Sequence, residues 1–389
     1  MNAFVAGLSA LSPFGFSRAE MVCLTEDFDR PTLVVDVDTV AARYRDLSEG
    51  LGRTAIHYAV KANPHPVILA RLVALGCGFD AASRGEIEAC LAAGAAPTRI
   101  SFGNTIKRER DIAWAFGQGV TLFAADALEE VEKIACAAPG ARVYIRVRMG
   151  ATGADWPLSR KFGCAPSLAP SLVAEAAAAG LLPVGLSFHI GSQTRDPLLW
   201  GPVLDQIAAL WAEIEAAGFP LSLLNIGGGF PASYQQSVMA PLDYARSVMA
   251  QVDARFGSHV AIMAEPGRGL VADCAAIAAE VMLVARKSED DLHRWVYLDI
   301  GRFSGLAETE GECIRYRMLT HRDHEQTGPC VLAGPSCDSA DTLYEKLPVH
   351  LPLGLKSGDR VVLCNAGAYT SSYSSVGFNG FPPLAVRLI

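Results

Sequence analysis

Between residues 54 and 265, short apolar runs alternate with Ala-rich, helix-like segments, and the alternation repeats eight times. The runs cover 54–60, 77–80, 99–102, 120–124, 142–147, 184–189, 221–226 and 260–264. Helical character fills the gaps, at 66–75, 83–93, 107–117, 126–137, 167–179, 198–217 and 241–256. Strands joined by helical crossovers pair in parallel. Eight such units predict an α/β fold built on a closed (β/α)8 barrel of the TIM type. An open doubly wound sheet is the alternative. Its usual sign, a Gly-x-Gly-x-x-Gly turn after the first strand, is missing.

After Leu270 the period changes. Runs at 278–286, 295–299, 313–320, 329–333, 347–351, 359–364 and 384–388 read as strands with few long helices between them. They predict a β-rich second domain. The early run Thr32 to Val37 is expected to pair with it, which makes that domain discontinuous: 1–37 with 271–389, around a barrel over 38–270. A chain that is 51% hydrophobic and 19% charged can fill both cores. The net charge of −8, without a basic block, argues against nucleic acid. No uninterrupted apolar run reaches the length of a membrane span. Met1 to Arg18 has no basic stretch before its apolar part, so a secretory signal is not expected. The ten cysteines are scattered singly with no Cys-x-x-Cys pair, which predicts reduced thiols, a cytoplasmic protein and no metal site.

In a (β/α)8 barrel, chemistry collects at the C-terminal ends of the strands. Here the first strand ends in Lys61, the second in Asp80, and the fifth holds Arg146. The sixth runs into Phe188-His189-Ile190-Gly191-Ser192, the seventh into Gly227-Gly228-Gly229-Phe230-Pro231, and the eighth into Glu265-Pro266-Gly267-Arg268. A lysine in a desolvated pocket loses its proton and attacks carbonyl carbon. Glycines at 227–229 let backbone N–H groups approach a phosphate, with Arg268 and Ser192 converging on it. An amine, a phosphate cradle, an imidazole and a carboxylate match what pyridoxal phosphate needs, with Glu265 as the partner of the pyridine nitrogen. Each residue also has a plainer reading. Lys61 can be an exposed strand end, His189 a core histidine, and Ser83-x-x-Glu86 a capping box. Cys337, in Gly334-Pro335-Ser336-Cys337-Asp338, reads alone as a structural thiol. Tyr369, after Asn365-Ala366-Gly367-Ala368, reads alone as a packing tyrosine.

Taken in order, Tyr58-Ala-Val-Lys-Ala-Asn, Phe188-His-Ile-Gly-Ser, Gly227-Gly-Gly-Phe-Pro, Glu265-Pro-Gly-Arg, Gly334-Pro-Ser-Cys-Asp and Gly367-Ala-Tyr resemble the fold-type III, pyridoxal-phosphate-dependent decarboxylases of basic amino acids. The resemblance runs from about residue 30 to 385. It is strongest to bacterial ornithine decarboxylases, a branch that includes enzymes acting on lysine. It implies an alanine racemase-like barrel and a homodimer whose two active sites lie at the subunit interface. It implies that Lys61 carries the cofactor, His189 stacks on its ring and Glu265 contacts the pyridine nitrogen. It implies that Ser192, Gly227, Gly228, Gly229, Gly267, Arg268 and Tyr369 hold the phosphate, with Asp80, Glu86 and Arg146 in support. It implies too that Cys337 returns a proton to Cα and that Asp338 binds the distal ammonium, both reaching into the partner's site. Gly150 to Arg160 matches the family's mobile lid.

One departure bears on substrate. Eukaryotic members carry Asn-Asp-Gly where this chain has Asp299-Ile300-Gly301, so a carboxylate expected at the distal amine is replaced by Ile300. Asp299 or Glu308 is expected to compensate, and Tyr369 to help line the substrate site. The expected reaction is L-ornithine to putrescine and CO2, in polyamine biosynthesis, with lysine or dual use as the alternative. meso-Diaminopimelate decarboxylases share several motifs but must bind a second carboxylate, and the Cys337-Asp338-Ser339 turn favours a distal amine. A non-catalytic homologue is expected to lack Lys61 or Cys337, and both are present.

Overall fold

A computed structural model describes residues 16–149 and 161–389. The stretch 150–160, matched above to a lid, lies outside the described residues. The chain divides into two units. One holds Val40–Pro231 and Val238–Leu270; the other holds the described part of Met1–Thr39, Ala232–Ser237 and Val271–Ile389. The short piece Ala232–Ser237 therefore joins the β-rich unit from inside the span that the sequence assigns to the barrel.

Strand β1 (Thr32–Val35) belongs to the β-rich unit, and the barrel follows it. Its strands are β2 (Ala55–Ala59), β3 (Gly78–Ala81), β4 (Ile100–Phe102), β5 (Leu122–Ala125), β6 (Arg142–Arg146), β7 (Leu182–Ser187), β8 (Leu223–Asn225) and β9 (Ala261–Ala264). All eight neighbours are parallel, and β2 pairing with β9 (Ala55 opposite Met263) closes the ring. Leu122, Ala124, Tyr144, Leu223 and Met263 pack together as a buried cluster drawn from β5, β6, β8 and β9. The helices show why the chain alternates. In Pro66–Ala74, Pro66 starts the helix, the His65 ring accepts the Val67 N–H at 3.3 Å, and Ile68, Leu69 and Leu72 are buried on one stripe. In Trp200–Ala216, Val203, Leu204, Ile207, Leu210, Trp211 and Ile214 recur at helical spacing and are buried.

The second unit is a mixed sheet. Its strands are β10 (Ala275–Ala285), β11 (Arg294–Leu298), β12 (Met318–Thr320), β13 (Thr327–Ala333), β14 (Thr342–Leu343), β15 (Val349–Pro352), β16 (Arg360–Leu363) and β17 (Ala385–Leu388). The order is β12-β16-β10-β11-β13-β14, with β15 beside β13. The expected role of the early run is visible: β1 pairs antiparallel with β10, Thr32 opposite Ala278, and parallel with β17. A helix at Arg18–Thr25, started by a Ser17–Glu20 capping box, buries Ala19, Cys23 and Leu24 against Val34, Ala276, Ala278, Leu319 and Val362. Among the described residues no helix is long and apolar enough to cross a membrane.

Candidate active site

The first strand delivers its lysine through a turn. β2 ends at Ala59, and Val60–Ala62 forms a single 3-10 turn held by the Asn63 N–H bonding to Val60 C=O at 3.1 Å. Tyr58 Oη donates to Asn63 C=O at 3.0 Å, and Ala59 N–H donates to Pro266 C=O at 3.2 Å. The backbone that carries Lys61 is thus tied to the loop after β9. Lys61 itself is exposed. On β3, Asp80 is buried and accepts from Ser101 Oγ at 3.2 Å. Burial pushes its carboxyl up, while Lys61, Arg146 and the Ser101 hydroxyl hold it down. Glu86 departs from the expected capping box. Ser83 Oγ accepts the Glu86 N–H at 3.3 Å, but the Glu86 carboxylate takes the Ala82 N–H at 2.6 Å. Burial raises the Glu86 carboxyl, opposed by that hydrogen bond.

Across the barrel mouth, an aromatic group anchors two loops. Phe188 packs edge-on against Trp200 at 6.0 Å between ring centroids, and Trp200 lies 5.6 Å from Phe230. Trp200 Nε1 donates to Tyr244 Oη at 3.0 Å, which donates to Thr194 C=O at 2.7 Å. Phe188 begins the His189–Ser192 loop and Phe230 ends the glycine turn, so burying these rings fixes both loops. Between them, the Gly228 N–H donates to His189 Nδ1 at 3.3 Å. Nδ1 is therefore the acceptor, and the imidazole carries its proton on Nε2. Burial, then the charges of Arg146 and Lys61, push His189 down to about 3, so the ring is neutral. The guanidinium of Arg146 lies 5.2 Å over the Phe162 ring.

The glycine turn has the shape of a cradle. Gly229 sits at φ +109°, and a Cβ there would stand 2.5 Å from Gly191 C=O and 2.6 Å from Ile190 Cγ2. Gly229 C=O accepts the Thr194 N–H at 3.0 Å, and Glu265 N–H donates to Gly227 C=O at 2.8 Å. Buried Arg268 reaches the same loop, with Nε and Nη2 at 3.3 and 3.2 Å from Ser192 Oγ. Gly267 is buried, and its C=O accepts the Leu270 N–H at 3.0 Å.

Sequence reasoning did not single out Asn225. It is fully buried at the end of β8; its Oδ1 accepts the Gly227 N–H at 2.9 Å and its Nδ2 donates to Glu265 Oε1. The signal is an amide ending an apolar strand just before three glycines. Burial, then the Asp80 carboxylate, push Glu265 up to about 7, against the opposing Asn225 hydrogen bond and the charges of Arg146 and Lys61. Nor does the sequence alone single out Tyr144. Its hydroxyl is buried, and burial, then Glu265 and Asp80, hold it protonated, opposed by Arg146 and Ser101.

The remaining candidates belong to the β-rich unit. Cys337 and Asp338 are exposed on the turn after β13. The Cys337 N–H donates to Asn379 Oδ1 at 3.1 Å, and Asp338 Oδ1 accepts the Ala340 N–H at 2.9 Å. Asp299, just past β11, spends Oδ1 on the Glu280 N–H at 2.8 Å, and burial raises its carboxyl to about 6. Ile300 is fully buried. Glu308 is buried in a short 3-10 segment. Tyr369 holds a left-handed backbone at φ +56°, unusual for a bulky side chain, in a loop where Gly367 N–H donates to Ala272 C=O at 2.8 Å.

The barrel residues fit pyridoxal phosphate on their own geometry. A backbone concavity that a Cβ would fill stands beside a hydroxyl and a guanidinium, as an anion requires. A carboxyl, an imidazole and a lysine complete the donor set. The family model described as the pyridoxal binding domain of pyridoxal-dependent decarboxylases matches residues 37–272. A lysine/ornithine decarboxylase of Selenomonas ruminantium is 33% identical over 95% of this chain and 92% of its own length. An ornithine decarboxylase of Schizosaccharomyces pombe is 32% identical over 90% of this chain and 81% of its own. The structure of a Vibrio vulnificus lysine/ornithine decarboxylase complexed with cadaverine superposes with a TM-score of 0.85 at 32% identity, covering 96% of this chain and 100% of that one. The fold, the cradle and these likenesses agree: the chain belongs to the pyridoxal-dependent decarboxylase family.

Proposed function

We propose that this protein decarboxylates L-ornithine to putrescine and CO2 with pyridoxal phosphate, L-lysine being the second substrate. The observation that carries the reading is the Asn225–Glu265 pair beside the glycine turn, with His189 and the Arg268–Ser192 contact on the same loops. Relatives named for ornithine and for lysine and ornithine support the choice of substrate. Pyridoxal phosphate, when bound, supplies a sink for the electron pair left as CO2 departs.

The chain's residues divide the remaining work. Lys61 would carry the cofactor on its amine. The glycine turn, Ser192, Gly267, Arg268 and Tyr369 would hold its phosphate, and the Glu265 carboxyl, raised by burial, would pair with the ring nitrogen. Neutral His189 would pack against the ring without adding charge, while Asp80, Glu86 and Arg146 would set the field around Lys61. When the bond from Cα to the carboxylate breaks, the Cys337 thiol gives its proton to Cα and is reprotonated from solvent. Asp338 pairs with the distal ammonium by a charge-assisted hydrogen bond. Asp338 and Asp299 each spend one oxygen on a backbone N–H, but Asp338 is exposed while burial raises the Asp299 carboxyl to about 6, which favours Asp338 as the main acceptor. Glu308 is left as a supporting charge.

The working unit in this reading is a cytoplasmic homodimer in which Cys337 and Asp338 of each subunit complete the partner's site. The ten singly scattered cysteines, with no Cys-x-x-Cys pair in the sequence, support a reducing compartment. The product, a diamine, enters polyamine synthesis. CO2 release compared across ornithine, lysine, diaminopimelate and arginine tests the substrate. The expected order is ornithine, then lysine, with the other two at background; diaminopimelate or arginine as the best substrate contradicts it. Mixing Lys61→Ala and Cys337→Ala chains is expected to restore part of the activity, since one site of the mixed dimer keeps both groups. No recovery after proven subunit exchange contradicts shared sites.

A further inference from the structure

Four residues past Cys337 lies Asp341, a buried carboxylate that sequence reasoning left aside. Its Oδ1 accepts the Arg302 N–H at 2.6 Å. Its Oδ2 accepts the Ser336 N–H at 3.2 Å and the Ser336 hydroxyl at 2.7 Å. Its own backbone closes the turn, with C=O taking the Gly334 N–H at 2.8 Å and N–H donating to Asp338 C=O at 3.0 Å. Its charge is met by directional donors from two segments distant in sequence.

The fit leaves no slack. A Cβ on Gly301 would stand 2.1 Å from Asp341 Oδ1 and 2.6 Å from Gly334 Cα, and one on Gly334 would stand 2.3 Å from Oδ2. The carboxylate is therefore gripped between two backbones that only glycine lets come so near. One segment, Ile300–Arg302, follows Asp299. The other, Gly334–Ser339, carries Cys337 and Asp338.

We propose that Asp341 is a positioning residue: it holds Cys337 and Asp338 in register with the Ile300–Arg302 segment and thereby sets the choice between ornithine and lysine. The second half rests on the function proposed above. Ornithine and lysine differ by one methylene, so the placement of the distal-amine acceptor decides between them. One methylene is worth about 10–200-fold in discrimination, and a misplacement of ~1 Å can cost ~100-fold.

The test uses Asp341→Asn, which keeps the volume but turns an N–H₂ group towards donors, and Ser336→Ala, which removes one of the three side-chain bonds. Two quantities are read on the holoenzyme: the alkylation rate of Cys337 by iodoacetamide without substrate, located by peptide mass, and the ornithine-to-lysine ratio of kcat/KM. Asp341→Asn is expected to change both by about fivefold or more, and Ser336→Ala to move both the same way by less. A purely structural role lowers Tm and scales the two substrates together. A folded Asp341→Asn enzyme with thiol rate and ratio unchanged overturns the proposal. If that variant does not fold, unchanged values in Ser336→Ala overturn it. If the wild-type enzyme releases CO2 from neither amino acid, the reading of function fails, and the alkylation arm alone decides whether Asp341 holds the turn.

Discussion

Asn225 Nδ2 donates a hydrogen bond to Glu265 Oε1, while the other end of the same amide takes the Gly227 N–H at 2.9 Å. One buried side chain thus couples the carboxyl proposed for the pyridine nitrogen to the turn proposed for the phosphate. Asn225→Leu leaves a carboxyl oxygen and a backbone N–H without this partner. The expected cost is about 1–3 kcal/mol of stability, the usual penalty for stranded polar groups, with weaker cofactor binding. Asn225→Asp keeps the acceptor for Gly227 but sets a second carboxyl against Glu265, and should weaken cofactor binding most at alkaline pH. Urea unfolding and cofactor titration across pH check both. Wild-type affinity in Asn225→Leu contradicts the coupling.

Glu265 and His189 pull stability in opposite directions with pH. Glu265 is raised from 4.5 to about 7, so it binds its proton more tightly folded than unfolded. Its contribution is present below 4.5 and lost as pH rises through about 7. His189 is lowered from 6.5 to about 3, so its contribution is present above 6.5 and lost as pH falls through about 3. In melting curves of the cofactor-free chain, Glu265→Gln should gain on wild type as pH rises through the first window. His189→Asn should gain on wild type as pH falls through the second. Curves that stay parallel to wild type contradict the assigned burial.

Gly229→Ala tests the cradle. The φ of +109° is closed to alanine, and its Cβ would meet Gly191 C=O at 2.5 Å. Backbone strain alone is worth about 1–3 kcal/mol. If the turn holds phosphate, affinity for pyridoxal phosphate should fall more than affinity for pyridoxal, which lacks the phosphate. Equal losses for the two ligands would place the phosphate elsewhere.

Much of the barrel is legible because its strands are apolar runs, several of which stop at a polar residue. Asp80, Arg146 and Glu265 stand out by that contrast alone. What is set by contacts distant in sequence is not legible. The run 54–60 reads as strand through Val60, yet β2 ends at Ala59, because the backbone there bonds to Pro266 and then turns in a 3-10 step that sets Lys61 beyond the strand. Asn225 reads as the tail of a strand until Glu265, forty residues on, is seen beside it. Asp341 is hidden for the same reason, since Arg302 approaches it from another strand end. The two-residue strand β14 has too short an apolar signal to be read at all. Glu86 looks like a capping-box residue, but its side chain reaches one residue farther back, to Ala82.

The measurement that bears most directly on the whole account is the stoichiometry of products from L-ornithine labelled at its carboxyl carbon. Purified holoenzyme is predicted to release labelled CO2 and putrescine in equal amounts, and Lys61→Ala to release neither above the rate of free cofactor. Release of CO2 without putrescine, no release at all, or an undiminished rate in Lys61→Ala would contradict it.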